Sequence, residues 1–124
     1  MKILITGGSR GIGKAIATEL NKNGHDLLLV SKSQLKLQAS KDTLPNKSVK
    51  VEIFGCDLSK ETEIQKLFEF SEKINFKPNV LVLDAGIFIE GTLTNSKSED
   101  FYETMNVDLY HIYHCVKKYI SILK

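Results

Sequence analysis

The strongest constraint on this chain is a short apolar strand that runs into glycines and then directly into a helix. Lys2–Thr6 reads as a buried strand, Gly7, Gly8, Gly11 and Gly13 follow within seven positions, and an amphipathic helical pattern opens at about Gly11. Glycines at a strand-to-helix turn let the backbone press against an anion, because no Cβ holds the anion off and positive φ costs little. The helix start adds free N–H groups and a partial positive charge. The segment is therefore expected to form a diphosphate-binding turn.

The remainder alternates strands and helices. Helix one is expected over Gly11–Asn23, with Ile12, Ile16 and Leu20 on its apolar stripe and Gly24 ending it. Strand two, Asp26–Val30, is an unbroken apolar run of the kind buried on both faces of a parallel sheet. A weaker helix spans about Ser33–Thr43 and stops before Pro45; strand three is Val49–Phe54. Ser59 is placed to cap a third helix that carries Glu61 and Glu63 in its first turn, buries Ile64, Leu67 and Phe68, and reaches about Ile74. Strand four is Asn79–Leu83. Ser96 and Glu99 have capping-box spacing and open a long last helix towards Lys124, with Phe101, Met105, Leu109, Ile112, Val116, Ile120 and Leu123 as its apolar stripe. The pattern predicts one domain over residues 1–124: an α/β, three-layer, Rossmann-like parallel sheet in the order 3-2-1-4 with helices on both faces. A nucleotide would lie beyond the carboxyl ends of the strands.

Composition narrows the choice of partner. The 17 basic and 15 acidic residues give a net charge of +2, which supplies no field for nucleic acid or an anionic membrane. Cys56 and Cys115 are too few and too far apart for a disulfide framework or a paired-cysteine zinc site, so reduced thiols in a cytoplasm are expected. Ile3–Ile5 is too short for a signal peptide, and no apolar run nears the roughly 20 residues of a membrane span.

Two nucleotide motifs overlap in the glycine turn. Gly8–Lys14 fits GxxxxGK, and Val80–Asp84 could serve as the partner strand, but Ala15 stands where a P-loop needs a hydroxyl for Mg²⁺. Thr6-Gly7-x-x-x-Gly11-Ile12-Gly13 is instead the TGxxxGIG of the short-chain dehydrogenases/reductases, which the chain resembles. Further family motifs follow in order: Asp57-Leu58 after strand three, Asp84-Ala85-Gly86 where the family has NNAG, and Asn106-Val107 in the long helix. The resemblance covers the family's cofactor-binding part and implies hydride exchange between a nicotinamide and a carbonyl or alcohol. It assigns cofactor contacts to Thr6, Gly7, Ser9, Arg10, Gly11, Ile12, Gly13, Ser31, Lys32, Asp57, Leu58, Asp84, Ala85, Gly86 and Val107, and a catalytic role to Asn106. Leu83-Asp84 in place of two asparagines is a departure from the family pattern.

The residues after strand two, Val30-Ser31-Lys32-Ser33, include no acid to accept a ribose 2′-OH. Lys32 and Arg10 could meet a 2′-phosphate instead, with hydrogen bonds from Ser31 and Ser9. This favours NADP(H) over NAD(H). The family's catalytic Ser and YxxxK belong to a later strand and helix, and the chain is expected to stop before them. Tyr113-His114-Cys115-Val116-Lys117 spells YxxxK but lies on the same helix as Asn106, with Asp100 where a Ser would be needed, so it is read as coincidence. His111 and His114, without recognisable partners, read as surface or interface residues, and no metal is expected. Without catalytic partners the chain could equally be a non-catalytic nucleotide-binding module. The long helix and the apolar strand four point to self-association through residues 99–123.

Overall fold

The computed structural model describes residues 1–123. In chain order it contains β1 (Lys2–Thr6), α1 (Gly11–Lys22), β2 (Asp26–Ser31), α2 (Gln34–Asp42), β3 (Val51–Gly55), α3 (Glu61–Lys73), β4 (Val80–Leu83) and α4 (Ser98–Met105). A π turn at Asn106–Tyr110 then joins α4 to α5 (His111–Leu123). The four strands are parallel and lie in the order β3-β2-β1-β4, as the alternating pattern predicts. Thr6 ends the central strand, opposite Val30 on one side and Leu83 on the other.

Alternation along the strands divides the core into two layers. Leu4, Leu28 and Val30 pack with Ile64, Leu67 and Phe68 of α3 and Cys115 of α5. Ile3, Ile5, Leu27 and Leu29 point the other way and pack with Ala17 of α1 and Leu37 of α2. Each aliphatic side chain removed from water in this way contributes roughly 1.5–3 kcal/mol relative to exposure. Among the described residues β4 pairs with β1 alone, and its four residues Val80–Leu83 are only half-buried.

Local features differ from the sequence expectation in four places. α1 buries Gly13, Ala17 and Asn21, whereas Ile12 is 71% exposed and Ile16 and Leu20 are only partly covered. Small residues bring the helix axis close to the sheet, so the seam runs beside the bulky stripe. Ser59 does not cap α3; its hydroxyl and amide both donate to Asp57 Oδ1, at 2.7 and 3.0 Å, and the helix opens after Lys60. Ser96 forms no capping box, because its hydroxyl donates to the Leu93 carbonyl and α4 begins two residues later, at Ser98.

The fourth difference is the last helix, which is not one regular element. The His111 N–H reaches back five residues to the Asn106 carbonyl, and the turn inserted there shifts the helical phase. Val107, His111 and Cys115 face inward, with Tyr119 and Ile122 packed against the core, while Phe101, Leu109, Ile112, Val116, Ile120 and Leu123 are exposed. Lys124, the expected limit of this helix, lies outside the described residues.

Candidate functional site

The glycine turn is held from below. The Gly7 amide donates to the Val30 carbonyl at 2.8 Å, and the buried Ser40 hydroxyl donates to the Gly8 carbonyl at 3.0 Å. Gly7 has φ +75°, and a Cβ there would sit 3.0 Å from the Ala85 backbone. Gly13 admits no Cβ either: one would fall on the Gly7 carbonyl, 2.7 Å from its carbon and 2.9 Å from Asp84 Oδ2. Glycine at these two positions presses the start of α1 against the ends of β1 and β4. Arg10 precedes α1 in an extended conformation and no side chain caps the helix, which leaves its first N–H groups for an anion.

Above this turn, at the carboxyl ends of the strands, lies a cleft of ≈ 570 Å³. Gly7, Ser9, Arg10, Gly11 and Ile12 form its base. Ser31 and Lys32 line it from the end of β2, and Asp57 and Leu58 from the segment after β3. Asp84, Ala85 and Gly86 line it from the end of β4, and Val107 from the π turn. Three residues singled out in the sequence stand behind the lining. Thr6 is fully buried and its Oγ1 accepts from the Ala85 amide at 3.2 Å. Gly13 is buried at the α1–turn contact, and the half-buried Asn106 opens the π turn next to Val107. Lys14, which a P-loop would require at the phosphates, does not line the cleft.

Asp57 is oriented by its neighbours. Its amide donates to Glu63 Oε1 at 3.0 Å, and its carboxylate accepts both Ser59 bonds. Partial burial pushes its pKa up, but the Ser59 bonds and the nearby Lys32 and Lys60 charges outweigh that and hold it below the ordinary carboxylate value. The carboxylate is therefore ionised and fixed, with one oxygen already used.

Sequence reasoning overlooked several contributors. Ser33, Lys36, Cys56, Ile87 and Glu103 also line the cleft. Lys36 lies in the first turn of α2, where its amide donates to the Ser33 hydroxyl that caps the helix. Asp108 Oδ1 accepts from the Ile87 amide at 2.8 Å and ties the loop after β4 to the π turn, a contact with no local signal. Both histidines have partners, contrary to the sequence reading. His111 is buried against Thr6, and His114 Nδ1 lies 3.7 Å from Glu61 Oε1 on α3. Tyr113 and Lys117 stack on each other on the outside of α5, away from the cleft.

A parallel sheet that opens at its carboxyl end onto a glycine turn and an uncapped helix is the architecture of Rossmann-type nucleotide-cofactor domains. Within that class the chain belongs to the short-chain dehydrogenase family, whose sequence profile matches residues 1–124. It is 37% identical to carbonyl reductase family member 4 of Danio rerio over 106 residues, covering 86% of this chain and 44% of that protein. It is 33% identical to the 3-oxoacyl-[acyl-carrier-protein] reductase of Homo sapiens over 105 residues, covering 85% of this chain and 43% of that protein. The chain thus spans less than half the length of these curated relatives. Among solved structures it superposes on an alcohol dehydrogenase from the archaeon Thermococcus sibiricus complexed with 5-hydroxy-NADP. That match has a TM-score of 0.88 and 28% identity, over 97% of this chain and 52% of the other. A metagenomic short-chain oxidoreductase in complex with NADP matches with a TM-score of 0.87 and 28% identity, over 95% of this chain and 54% of the other. No helix among the described residues is long and apolar enough to cross a membrane.

Proposed function

We propose that residues 1–124 are the cofactor-binding unit of an NADP(H)-dependent oxidoreductase acting on a carbonyl or alcohol. The bound nicotinamide supplies or accepts the hydride; the chain's own residues bind and orient it. The turn from Gly7 to Gly13 holds the diphosphate, Asp57 and Leu58 flank the adenine, and Ala85 and Gly86 bring backbone against a ribose. Asn106 serves in the proton-relay set, with the family's Ser and YxxxK placed outside these 124 residues. Two buried, unpaired thiols, Cys56 and Cys115, suit a reducing compartment such as the cytoplasm.

The observation that carries the choice of NADP(H) is the presence of Arg10, Lys32 and Lys36 with Ser9, Ser31 and Ser33 in the lining of the cleft, and the lack of an acid directly after β2. Such a set attracts a 2′-phosphate dianion and offers no carboxylate to a 2′-hydroxyl. Titration calorimetry with NADP⁺ and NAD⁺ tests it. Tighter binding of NADP⁺, by about tenfold or more, is expected from one or two charge-assisted contacts, and equal or NAD-favouring affinity overturns it.

A second reading is favoured by one observation: no tyrosine lines the cleft among the described residues. On this reading the chain binds the dinucleotide without reducing anything, since loss of a general acid typically costs 10²–10⁴-fold in rate. Oxidation of NADPH by the purified 124-residue chain with carbonyl substrates would exclude this second reading. The exposed apolar face of α4 and α5 supports self-association through residues 99–123. Light scattering at rising concentration is expected to show a mass above that of the monomer, and a monodisperse monomer throughout would count against it.

A further inference from the structure

The last helix carries a buried imidazole that the proposed chemistry leaves unused. His111 is 0% exposed, and its two ring nitrogens meet different parts of the molecule. Nδ1 faces the Val107 carbonyl, one turn back on the same helix. A carbonyl can only accept, so Nδ1 carries the hydrogen and Nε2 of the neutral ring is an acceptor. Nε2 lies 3.2 Å from Thr6 Oγ1 and takes the single hydroxyl hydrogen of Thr6. The Thr6 oxygen accepts in turn from the Ala85 amide at 3.2 Å. A directed chain therefore runs from the Ala85 N–H through Thr6 and His111 to the Val107 carbonyl. Ala85 and Val107, its two ends, stand on different walls of the cleft.

We infer that His111 is a positioning residue of the nucleotide cleft: its neutral ring fixes the direction of the Thr6 hydroxyl and, through Thr6 and Val107, holds the β4 wall and the helical wall at a set separation. This inference rests on the dinucleotide reading of the same cleft. A proton on Nε2 reverses the central bond, because the acceptor becomes a donor and the Thr6 hydrogen, in a site without solvent, loses its partner. From β1 the imidazole meets the uncharged Thr6 hydroxyl, which in turn holds the Ala85 amide at the end of β4. Asp108, on its own helix, is the charged group acting on it, and burial outweighs both the bond to the Val107 carbonyl and that carboxylate and keeps the ring's pKa below its ordinary value. The neutral, connected state thus prevails near neutral pH, and acid opposes it.

The test compares wild type with His111→Gln and His111→Phe. Glutamine offers Thr6 an amide oxygen and does not titrate; phenylalanine fills the space without accepting. NADP⁺ affinity is measured by calorimetry from about pH 8 down to about pH 5.5, and the ligand's 2′-phosphate titrates alike in all three proteins. The wild type is expected to lose about fivefold or more in affinity relative to His111→Gln over that range, the lower end of usual site-to-site coupling. His111→Gln should restore, near pH 8, the affinity that His111→Phe loses. Without ligand, the Ala85 amide shift in NMR spectra should follow the His111 titration. Identical pH slopes in wild type and His111→Gln, or an Ala85 amide that stays still while His111 titrates, would overturn the inference. Failure of NADP⁺ to bind at any pH would instead overturn the dinucleotide reading, and the Ala85 response alone would then decide whether the imidazole governs the wall. Should His111→Phe fail to fold, the wild type and His111→Gln comparison still decides.

Discussion

Gly13→Ala adds one methyl group at the glycine with the tightest surroundings among the described residues. The new Cβ would lie 2.7 Å from the Gly7 carbonyl carbon and 2.9 Å from Asp84 Oδ2, where ordinary contact begins near 3.4 Å. The Gly7 carbonyl oxygen is nearer still, so the turn and the helix start must separate by more than the roughly 0.7 Å that the carbonyl carbon alone demands, and that obstacle is backbone, which cannot rotate away. Overpacking of this kind costs roughly 1–3 kcal/mol, and the better helix propensity of alanine returns at most about 1 kcal/mol. The net expectation is a loss of about 1–2 kcal/mol, read as a lower urea midpoint with an unchanged slope. Because the same movement pulls the first N–H groups of α1 out of register with a phosphate, NADP⁺ affinity should fall roughly 10- to 100-fold, the worth of one bond to a charged group. Gly24→Ala provides the control. Gly24 has φ +83° and open space around it, so alanine there costs about 1–2 kcal/mol of backbone strain at a site remote from the cleft. Its urea midpoint should fall while its NADP⁺ affinity holds. A Gly13→Ala protein as stable as wild type, with unchanged affinity, would mean that the tight turn-to-helix contact does not shape the site.

Three further outcomes are expected. His111 has a lowered pKa in the folded protein, so the unfolded chain binds more protons once pH falls through about 6.5; stability contributed by the neutral ring is full above that point and declines below it. Urea midpoints of wild type should therefore drop between about pH 7 and pH 5 more steeply than those of His111→Gln, and parallel curves would contradict this. Burial pushes the Cys56 and Cys115 thiols up to about 12, so the native protein near pH 8 should resist iodoacetamide and both sites should react together on unfolding; rapid labelling of Cys56 in the folded state would contradict its burial. Ile120→Lys places a charge on the exposed face of α5 and should lower the mass seen by light scattering at high concentration with little change in urea midpoint, within about 0.5 kcal/mol; an unchanged oligomer would move the association surface elsewhere.

The sheet was legible in the sequence because β1 and β2 are unbroken apolar runs that only a doubly covered parallel sheet can bury, and because the glycine turn marks where the first one ends. The same holds for most of the cleft lining, since a backbone-binding turn and the ends of strands are local features. Helix faces were harder. On α1 the bulky Ile12, Ile16 and Leu20 suggested the seam, yet close approach to the sheet belongs to Gly13 and Ala17, and Ile12 is left at the cleft. On the last helix the regular apolar period points outward on both sides of the π turn at Asn106–Tyr110: α4 buries no residue and leaves Phe101 exposed, and beyond the turn the inward face belongs to His111 and Cys115, which no residue pattern announces. His111 was misjudged for a related reason. Its partner Thr6 is 105 residues away, and a buried imidazole is recognisable only once the strand that feeds it is in place. Asp108 and Ile87 likewise meet across a loop that carries no periodic signal.

The central claim is that the uncapped start of α1 grips a diphosphate. Amide NMR shifts recorded during titration with NADP⁺ test it most directly, with inorganic pyrophosphate as a second ligand. Large, saturable movements at Ser9, Arg10, Gly11 and Ile12 are expected with both ligands, joined by Lys32 and Ala85 only with the dinucleotide. Shifts that remain unchanged at Ser9–Ile12 under saturating NADP⁺ would contradict it.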